Sequence, residues 1–206
     1  MEGRALENQK AYELESYHNF PTIISRYKKL ISEEYQKDLI ECCYDLEGKI
    51  KNGDALWDCN VFTSYSQHNL CDHPMFKVLV TSIFPCVQEY VFSCGSAPDK
   101  IECTSSWFNV MREGGYQEQH IHRGSHVSGI FYLKGCIDAA KTIFPSRIEP
   151  VLSLPNLTPN SISSGSVRFP VEENSLILFS SEQPHLTECH TKFEDRITIA
   201  FNFFLS

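Results

Sequence analysis

Three histidines in the second half of the sequence have the spacing of a metal site. His120 and His122 are separated by one residue, and His185 follows much later in the chain. Residues two apart in a β-strand point to the same face, so both imidazoles could bind one ion if a later strand carried His185 beside them. Three such ligands leave positions open on the metal. A His-x-His pair alone is more often a solvated pair on a strand, so this prediction needs further support.

A cation near the end of the chain supplies part of that support. In a strand beginning at Arg196, one face would carry Arg196, Thr198, Ala200 and Asn202, and the other Ile197, Ile199, Phe201 and Phe203. The wholly apolar face is expected to pack on helices or a second sheet, which turns Arg196 inward. A buried arginine is costly without a partner, and its planar fork suits a carboxylate. Asp195 could be a structural partner, but adjacent strand residues point to opposite faces.

The elements that must position these residues divide into a helical part and a strand-rich part. The pattern from residue 20 to about residue 94 is helical. Ser32 predicts an N-cap, and apolar residues then recur at spacings of three and four to about residue 46. A second helix is expected to begin at residues 72–74 and to end before Gly95. Pro85 within that helix should kink it or split it.

Short strands begin at about residue 101, separated by turn residues and without helices between them. The expected strands are Ile101–Met111, a segment around His120, Val127–Lys134, Lys141–Phe144, Ser175–Phe179 and Arg196–Leu205. Such a run indicates a sandwich or barrel with helices on one side. We therefore expect one domain over 20–206, with helical support over 20–95 and a β core over 101–206. Residues 1–19 are expected to form a flexible arm.

The composition fits a globular domain and disfavours several functional classes. The chain has 206 residues, which is the size of one domain, and a net charge of −8. That charge gives no field to attract nucleic acid or an anionic membrane. Nine cysteines are present without any CxxC spacing, which disfavours zinc-ribbon and thioredoxin sites. Residues 1–20 lack the apolar segment of a signal peptide, so we expect a cytoplasmic protein with reduced thiols.

With these residues placed, the sequence resembles the iron(II)/2-oxoglutarate-dependent oxygenases, most closely a small microbial and phage branch related to prolyl hydroxylases. The motifs that carry the resemblance are Trp107 to Asn109, Gly114 to Tyr116, His120 to His122, Ser128 to Tyr132, Leu178 to Ser180 with His185, and Arg196 to Asn202. They cover residues 107–202, and the helical part carries no motif. Two positions depart from the branch pattern: Arg123 stands where proline is usual, and Asn174 where glycine usually precedes a strand.

The resemblance implies a double-stranded β-helix (jelly roll, cupin-like) packed with N-terminal helices, so the fold class is mainly β with supporting α. It also implies that His120 and His185 bind Fe(II). His122 stands where the superfamily usually has a carboxylate, which leaves either a three-histidine centre or a centre with His122 outside the ligand shell. Glu118 is the nearby acidic substitute. We favour three histidines, with no catalytic residue beyond the metal centre.

The resemblance also assigns roles to residues around the metal. Arg196, helped by Thr198, would bind the distal carboxylate of 2-oxoglutarate, while Tyr132 and Asn109 would contact the cosubstrate or the substrate. Contact with the substrate or support of the metal ligands is expected from Asn202, Tyr116, Ser128 and Trp107. The cofactors would be Fe(II), 2-oxoglutarate and O2. The reaction would couple oxidative decarboxylation, which yields succinate and CO2, to oxidation of a C–H bond.

The substrate is less constrained by the sequence. We expect an amino acid-like small molecule or a peptidyl side chain. The Pro-, Ser- and Asn-rich segment over 150–166 is either a substrate-side lid or a tolerated insertion, and a homodimer is an open alternative to a monomer. Two other functions stay open: a cupin-type metalloenzyme that does not use 2-oxoglutarate, and a non-catalytic β-helix binding module with a vestigial site.

Overall fold

Two antiparallel sheets form the framework of the protein in the computed structural model, which describes residues 21–53, 59–66, 69–147 and 164–206. The helices are α1 (Glu33–Glu47) and α2 (Pro74–Ser93), with a short 3₁₀ helix at Leu70–Asp72. The strands are β1 (Ile24–Lys28), β2 (Val61–Thr63), β3 (Ile101–Met111), β4 (Gln117–His120), β5 (Val127–Lys134), β6 (Thr142–Pro145), β7 (Ser166–Phe169), β8 (Ser175–Ser180), β9 (His185–Thr187) and β10 (Arg196–Leu205). The larger sheet has the order β1-β8-β5-β10-β3-β2, and the smaller has the order β4-β9-β6-β7.

The three longest strands lie where the alternation of side chains predicts them. β3, β5 and β10 have the expected bounds, and β10 pairs with β3 on one side and β5 on the other. These strands are rich in β-branched and aromatic residues, which favour a pleated, half-buried surface. The prediction of a mainly β domain with helices on one side is therefore confirmed.

The outer face of the larger sheet packs against the helices. The apolar face of β10 is fully buried there, as the sequence predicts: Ile197, Ile199, Phe201 and Phe203. Both helices contribute to the same core, α1 through Leu39 and Cys43 and α2 through residues such as Leu79 and Ile83. Because this face is occupied by core contacts, the polar face of β10 must point into the space between the two sheets.

Both helices begin where their capping residues predict. The Ser32 hydroxyl accepts a hydrogen bond from the Tyr35 backbone N–H at 3.3 Å, which satisfies one of the free donors at the start of α1. At the start of α2, Pro74 occupies the first turn and the His73 side chain accepts from the Met75 backbone N–H at 3.3 Å. The two boundaries predicted from local chemistry are therefore confirmed.

The predicted split of the second helix does not occur, since α2 runs through Pro85 without a break. Proline removes the N–H that would bond to the carbonyl four residues earlier, here that of Thr81. Both residues are exposed, so water can reach that carbonyl. Buried Ile83 and Cys86 on either side of the proline hold the helix to the core.

The prediction of a continuous helical pattern over 20–94 is wrong at two places, where β1 and β2 extend the larger sheet. β1 pairs with β8 from Ile24 opposite Phe179 to Lys28 opposite Ser175. The connection after β1 is held by Asn174, whose side-chain oxygen accepts from the backbone N–H groups of Leu30 (2.9 Å) and Ile31 (3.1 Å). Strands this short have too few residues to show a clear alternation of apolar and polar side chains. Whether they form depends on pairing with a neighbouring strand.

β7 is likewise absent from the predicted strands, because it contains only four residues. β9 has three residues, and the sequence predicts it only as the strand that carries His185, without bounds. β6 is shifted by one residue from the predicted Lys141–Phe144 to Thr142–Pro145. The predicted arm over 1–19 lies outside the described residues, as does the candidate lid over 150–166 except for its last three positions.

α2 is the one helix in the described ranges that is long and apolar enough to cross a membrane. Seven of its residues are nonetheless buried in the core of the domain: Phe76, Leu79, Ile83, Cys86, Val87, Tyr90 and Val91. A core helix satisfies the same criteria of length and composition, so the finding is weak evidence for a membrane span.

Candidate metal centre

Pairing of two short strands brings the three predicted histidines together. His120, the last residue of β4, lies directly opposite His185, the first residue of β9. His122 lies just beyond the end of β4, and its backbone N–H donates to the Ser181 carbonyl at 2.9 Å. One ring nitrogen from each of the three lies within 4.8 Å of the others. The expected return of a distant strand beside the His-x-His segment is therefore confirmed.

Two of the histidines are oriented by backbone carbonyls two residues earlier in the chain. Nδ1 of His120 lies 2.7 Å from the Glu118 carbonyl oxygen, and Nδ1 of His185 lies 3.1 Å from the Gln183 carbonyl oxygen. A carbonyl only accepts hydrogen bonds, so each Nδ1 carries the proton. Each Nε2 is then left with the lone pair that a metal ion requires.

His122 is oriented by side chains of other strands instead. Its Nδ1 lies 2.8 Å from the Asn202 amide oxygen and 2.9 Å from the Ser128 hydroxyl. The amide oxygen is an acceptor, so this Nδ1 also carries the proton and Nε2 keeps its lone pair. All three imidazoles therefore have the tautomer that binds a metal through Nε2.

Burial keeps these imidazoles neutral. Desolvation lowers the pKa of His120, and desolvation together with the neighbouring His120 lowers the pKa of His122 to about 4. The pKa of His185, which is 3% exposed, lies well below its usual value because of burial and the two neighbouring rings. Metal binding needs the neutral imidazole, so the site is ready for an ion at neutral pH.

The donor set of this cluster contains no carboxylate from the described residues. The Glu118 side chain is exposed, and its residue contributes a backbone carbonyl to His120 rather than a ligand. Three neutral nitrogen donors with open positions suit divalent iron, although zinc and copper also accept imidazole ligands. The residues present therefore fit a ferrous ion held by His120, His122 and His185.

Arg196 lies in the space between the sheets as a buried cation. It is 1% exposed, its Nη2 donates to the Thr142 hydroxyl at 3.1 Å, and its guanidinium lies 5.4 Å from the Tyr132 ring centroid. Its Nε is buried without any hydrogen-bond partner, and burial lowers its pKa. No acidic residue within the described ranges forms an ion pair with it.

The alternative structural partner of Arg196 is occupied elsewhere. Asp195 accepts a hydrogen bond from the Tyr44 hydroxyl at 2.9 Å and lies 3.7 Å from Nε of Arg112. Because an unpaired buried charge is strongly unfavourable, the arrangement around Arg196 favours an anion that comes from outside the chain.

The other residues predicted to bind the cosubstrate lie in the same row of the sheet. Thr198 is flanked by Asn109 of β3 and Tyr132 of β5. The Tyr132 hydroxyl donates to Thr142 at 2.7 Å, and the Asn109 side-chain oxygen is buried without a partner. Polar groups on this row are thus available to a ligand that reaches Arg196.

Aromatic side chains connect the arginine to the histidines. The Phe179 ring lies 4.7 Å from that of His185 and 4.9 Å from that of Phe144, measured between centroids. Phe144 belongs to β6, as does Thr142, the hydrogen-bond partner of Arg196. Packed side chains between the two sheets therefore connect the metal cluster to the buried cation.

A cavity of about 390 Å³ gives access to two of the three histidines. Its lining includes His120, His122, Asn202 and Trp107, together with four residues that the sequence analysis missed: Thr63, Tyr65, Ile121 and Arg123. Tyr65 packs edge-on against Trp107, with centroids 5.0 Å apart. Tyr116, predicted to contact the substrate, is not among the described lining residues. Thr63 is the last residue of β2 and Tyr65 lies two residues beyond it. β2 is too short to be predicted from the sequence, so neither residue could be placed at the cavity.

Comparison with known proteins agrees with the resemblance carried by the motifs. Residues 105–202 match the family model described as "Putative 2OG-Fe(II) oxygenase". No curated protein matches the chain in sequence. The predicted resemblance is confirmed by this match, together with the enzyme class and the cofactors that the family's description names.

Solved structures confirm the double-stranded β-helix fold. A prolyl-4-hydroxylase from Pseudomonas putida aligns with a TM-score of 0.58 at 14% identity, over 90% of this chain and 94% of that one. A viral collagen prolyl hydroxylase from Paramecium Bursaria Chlorella virus-1, in complex with 2OG, aligns with a TM-score of 0.57 at 12% identity, over 87% and 94%. HygX from Streptomyces hygroscopicus, with nickel, 2-oxoglutarate and hygromycin B bound, aligns with a TM-score of 0.62 at 10% identity, over 90% and 84%.

Proposed function

We propose that the chain is an Fe(II)- and 2-oxoglutarate-dependent oxygenase that oxidises a C–H bond of an amino acid-like small molecule or a peptidyl side chain. The observation that carries this proposal is a buried, unpaired Arg196 in the same intersheet space as three metal-ready histidines. A metalloenzyme without a carboxylate cosubstrate has no need for a desolvated cation at that place. The match of residues 105–202 to the oxygenase family supports the same reading.

The three histidines would hold the iron through Nε2, each with its Nδ1 proton engaged by an acceptor. When bound, iron and 2-oxoglutarate supply the oxidising chemistry, with release of succinate and CO2, while the protein provides position and a dry site. Since the ligands are neutral, the metal keeps its full charge toward an anionic cosubstrate. The surrounding aromatic rings of Phe144 and Phe179 exclude water from the His185 side of the site.

Arg196 would bind the distal carboxylate of 2-oxoglutarate. Its free Nε–H and its planar fork offer donors to both carboxylate oxygens, and Thr198 on the same face adds a hydroxyl. Tyr132 orients the group by packing on the guanidinium and sharing Thr142 with it. Asn109 presents a side-chain amide whose oxygen has no partner from the neighbouring strand.

The substrate would enter through the cavity in front of His120 and His122. Trp107 and Tyr65 give that cavity an aromatic wall, and its size accommodates a small molecule or one side chain of a peptide. Proteins of similar fold include a prolyl-4-hydroxylase and a protein with hygromycin B bound, and both a peptidyl side chain and a small molecule are compatible with the proposal.

The decisive experiment is anaerobic addition of Fe(II) and 2-oxoglutarate to the purified protein. We expect the weak visible charge-transfer band of a 2-oxoglutarate–iron complex.

In Arg196→Gln, 2-oxoglutarate affinity should fall at least about 30-fold, since loss of a partner from a buried charge pair costs about 2 kcal/mol or more. Iron affinity should stay within about threefold. Arg168→Gln, which removes an exposed arginine bound to Glu188, is the matched control. Iron-loaded protein without the band would contradict the proposal and favour a metalloenzyme that does not use 2-oxoglutarate.

A further inference from the structure

The histidine at the position of the missing carboxylate has a hydrogen-bonding environment unlike that of its two neighbours. His120 and His185 are held by carbonyls two residues earlier in their own segments. His122 is held by Asn202 of β10 and Ser128 of β5, which are 80 and 6 positions away in the chain. The orientation of this ring therefore depends on tertiary structure, while that of the other two is local.

A buried polar network fixes the direction of the Asn202 amide. Its nitrogen donates to the Ser105 hydroxyl at 3.1 Å, which points the amide oxygen toward His122. The Ser128 hydroxyl donates to that same oxygen at 2.9 Å and lies 2.8 Å from the Ser181 hydroxyl. Ser128 and Ser181 are fully buried, and Asn202 is 8% exposed. Because these groups are buried, water competes poorly for their hydrogen bonds. The network therefore holds the Asn202 oxygen in place as an acceptor for the ring N–H of His122.

We propose that Asn202 and Ser128 are positioning residues that select the Nδ1-protonated tautomer of His122 and thereby make its Nε2 a ligand of the metal. The inference rests on the proposed function, since it concerns the third ligand of the same metal centre. The sequence left two roles open for Asn202 and Ser128: contact with the substrate or support of the metal ligands. The inference assigns both residues to support of a metal ligand. The chain thus compensates for the absent carboxylate with an orienting pocket for an imidazole.

Metal binding to the metal-free 206-residue chain gives the first test, with Co(II) alone as the probe. Asn202→Leu keeps the approximate volume but removes the acceptor, so we expect Co(II) affinity to fall about 10- to 100-fold, as for other residues that orient metal ligands. Asn202→Asp retains an acceptor for the ring N–H and should stay within about threefold of the wild type. Ser106→Ala is the matched control, because it removes a buried hydroxyl of β3 that has no partner.

A second measurement reports the tautomer directly and needs no metal. Two-bond ¹H–¹⁵N correlation spectra of the metal-free protein should show His122 with its proton on Nδ1 in the wild type and in Asn202→Asp. In Asn202→Leu the Nε2-protonated form should become populated. An unchanged His122 signal in Asn202→Leu, or equal losses of Co(II) affinity in Asn202→Leu and Ser106→Ala, would overturn the inference. Absence of the 2-oxoglutarate band with these two results intact would instead remove the proposed function alone.

A separate observation concerns two thiols remote from the histidines in sequence. Sγ of Cys71, in the 3₁₀ helix, lies 3.0 Å from Sγ of Cys103 at the start of β3. Asn69 holds the two segments together, because its side-chain oxygen accepts from the backbone N–H groups of Cys71 (3.2 Å) and Ser106 (3.0 Å). Either thiol could be the donor of this contact, which lowers the pKa of Cys71 and raises that of Cys103. The 3.0 Å separation of the two sulfur atoms places each thiol within reach of a group formed on the other.

We also infer that Cys71 and Cys103 form a dithiol site that hydroperoxides oxidise to a disulfide. The Cys71 thiolate attacks a peroxide oxygen, the O–O bond breaks, and Cys71 becomes a sulfenic acid as one water leaves. Cys103 then attacks that sulfur, the S–S bond forms, and a second water carries away the remaining oxygen. Two thiols lose two electrons and two protons in total, and one hydrogen peroxide is reduced to two waters.

Mass spectrometry of the folded, metal-free protein after limited hydrogen peroxide treatment tests this site. The expected result is the loss of two hydrogen atoms and one cross-linked peptide containing Cys71 and Cys103. The Cys71→Ser variant should lose the cross-link, whereas Cys94→Ser, which removes an exposed cysteine, should keep it. Accumulation of sulfinic acid at Cys71 without a cross-link, or faster oxidation of Cys94 than of Cys71, would overturn the inference.

Discussion

At the scale of single residues, the site depends on where each buried polar group finds its partner. His120, His122 and His185 each donate Nδ1–H to an acceptor, and one ring nitrogen of each lies within 4.8 Å of the others. Arg196, by contrast, retains an unpartnered Nε in a buried position. The histidines have complete supporting contacts, while the arginine lacks its anion, which is the asymmetry expected between ligands of a resident metal and the binding group for an exchangeable carboxylate.

The depressed histidine pKa values predict how the metal-free protein responds to pH. Burial and the neighbouring His120 hold the pKa of His122 at about 4, against about 6.5 in an unfolded chain. Between those values the unfolded state binds more protons, so folding stability should rise with pH from about 4 to 6.5. The contribution of His122 is on the order of 3 kcal/mol across that interval.

Urea unfolding of the metal-free protein at a series of pH values checks this prediction. The variant His122→Asn, which has no titratable group at the position, should show a shallower dependence on pH over the same interval. Equal slopes for the two proteins would show that His122 titrates normally in the folded state.

At the scale of elements, one side chain attaches the first strand to the sheet. Asn174 adopts a left-handed backbone conformation, with φ of 56°, which asparagine tolerates better than most residues. Its amide accepts from the N–H groups of Leu30 and Ile31 and donates to the Ile31 carbonyl at 2.7 Å. Asparagine in place of the usual glycine thus still tolerates the left-handed conformation. It also adds three hydrogen bonds to the segment that follows β1.

Substitution at Asn174 should separate the conformational effect from the hydrogen bonds. Asn174→Gly loses the bonds but keeps a residue suited to positive φ, so we expect destabilisation of about 1–3 kcal/mol. Asn174→Ala loses the bonds and adds about 1 kcal/mol or more of backbone strain. Chemical denaturation measures both, and a glycine variant no more stable than the alanine variant would contradict the role of the left-handed conformation.

At the scale of the whole molecule, the larger sheet separates a structural core from a functional space. One face of β10 packs on the helices through Phe201 and Phe203, and the other carries Arg196, Thr198 and Asn202 between the sheets. Because the apolar side chains of β10 are packed in the core, the strand is fixed in place, and so are the polar side chains on its other face. The position of the cation relative to the metal cluster therefore depends on packing far from either.

Two phenylalanines on β10 provide a matched test of that core. Phe201 is fully buried, whereas Phe204 is 43% exposed and contacts His126. Phe201→Ala should destabilise the protein by about 3–5 kcal/mol through lost burial and a cavity. Phe204→Ala should cost under about 1 kcal/mol, as for exposed substitutions in general. Thermal or urea unfolding compares the two, and similar losses would indicate that the outer face of β10 is not the principal core.

Much of the fold and of the candidate site could be predicted from local patterns. The long alternating segments of β3, β5 and β10 have the expected bounds, because each is long enough to show a period of two. The His-x-His pair, His185 and Arg196 were identifiable because side-chain chemistry and spacing are properties of the chain itself. The short strands β1 and β2 could not be predicted, since three to five residues carry no clear period and their existence depends on a partner strand.

By itself, the sequence determined the inventory of reactive groups, the faces of the long strands and the resemblance to the oxygenases. Only the tertiary structure decided which of those groups are satisfied. Asp195 bonds to Tyr44 rather than to Arg196, Thr142 serves both Tyr132 and Arg196, and Asn202 orients His122. The physical reason is that hydrogen bonds and ion pairs act over a few ångströms, so their partners depend on which strands are neighbours and not on distance along the chain.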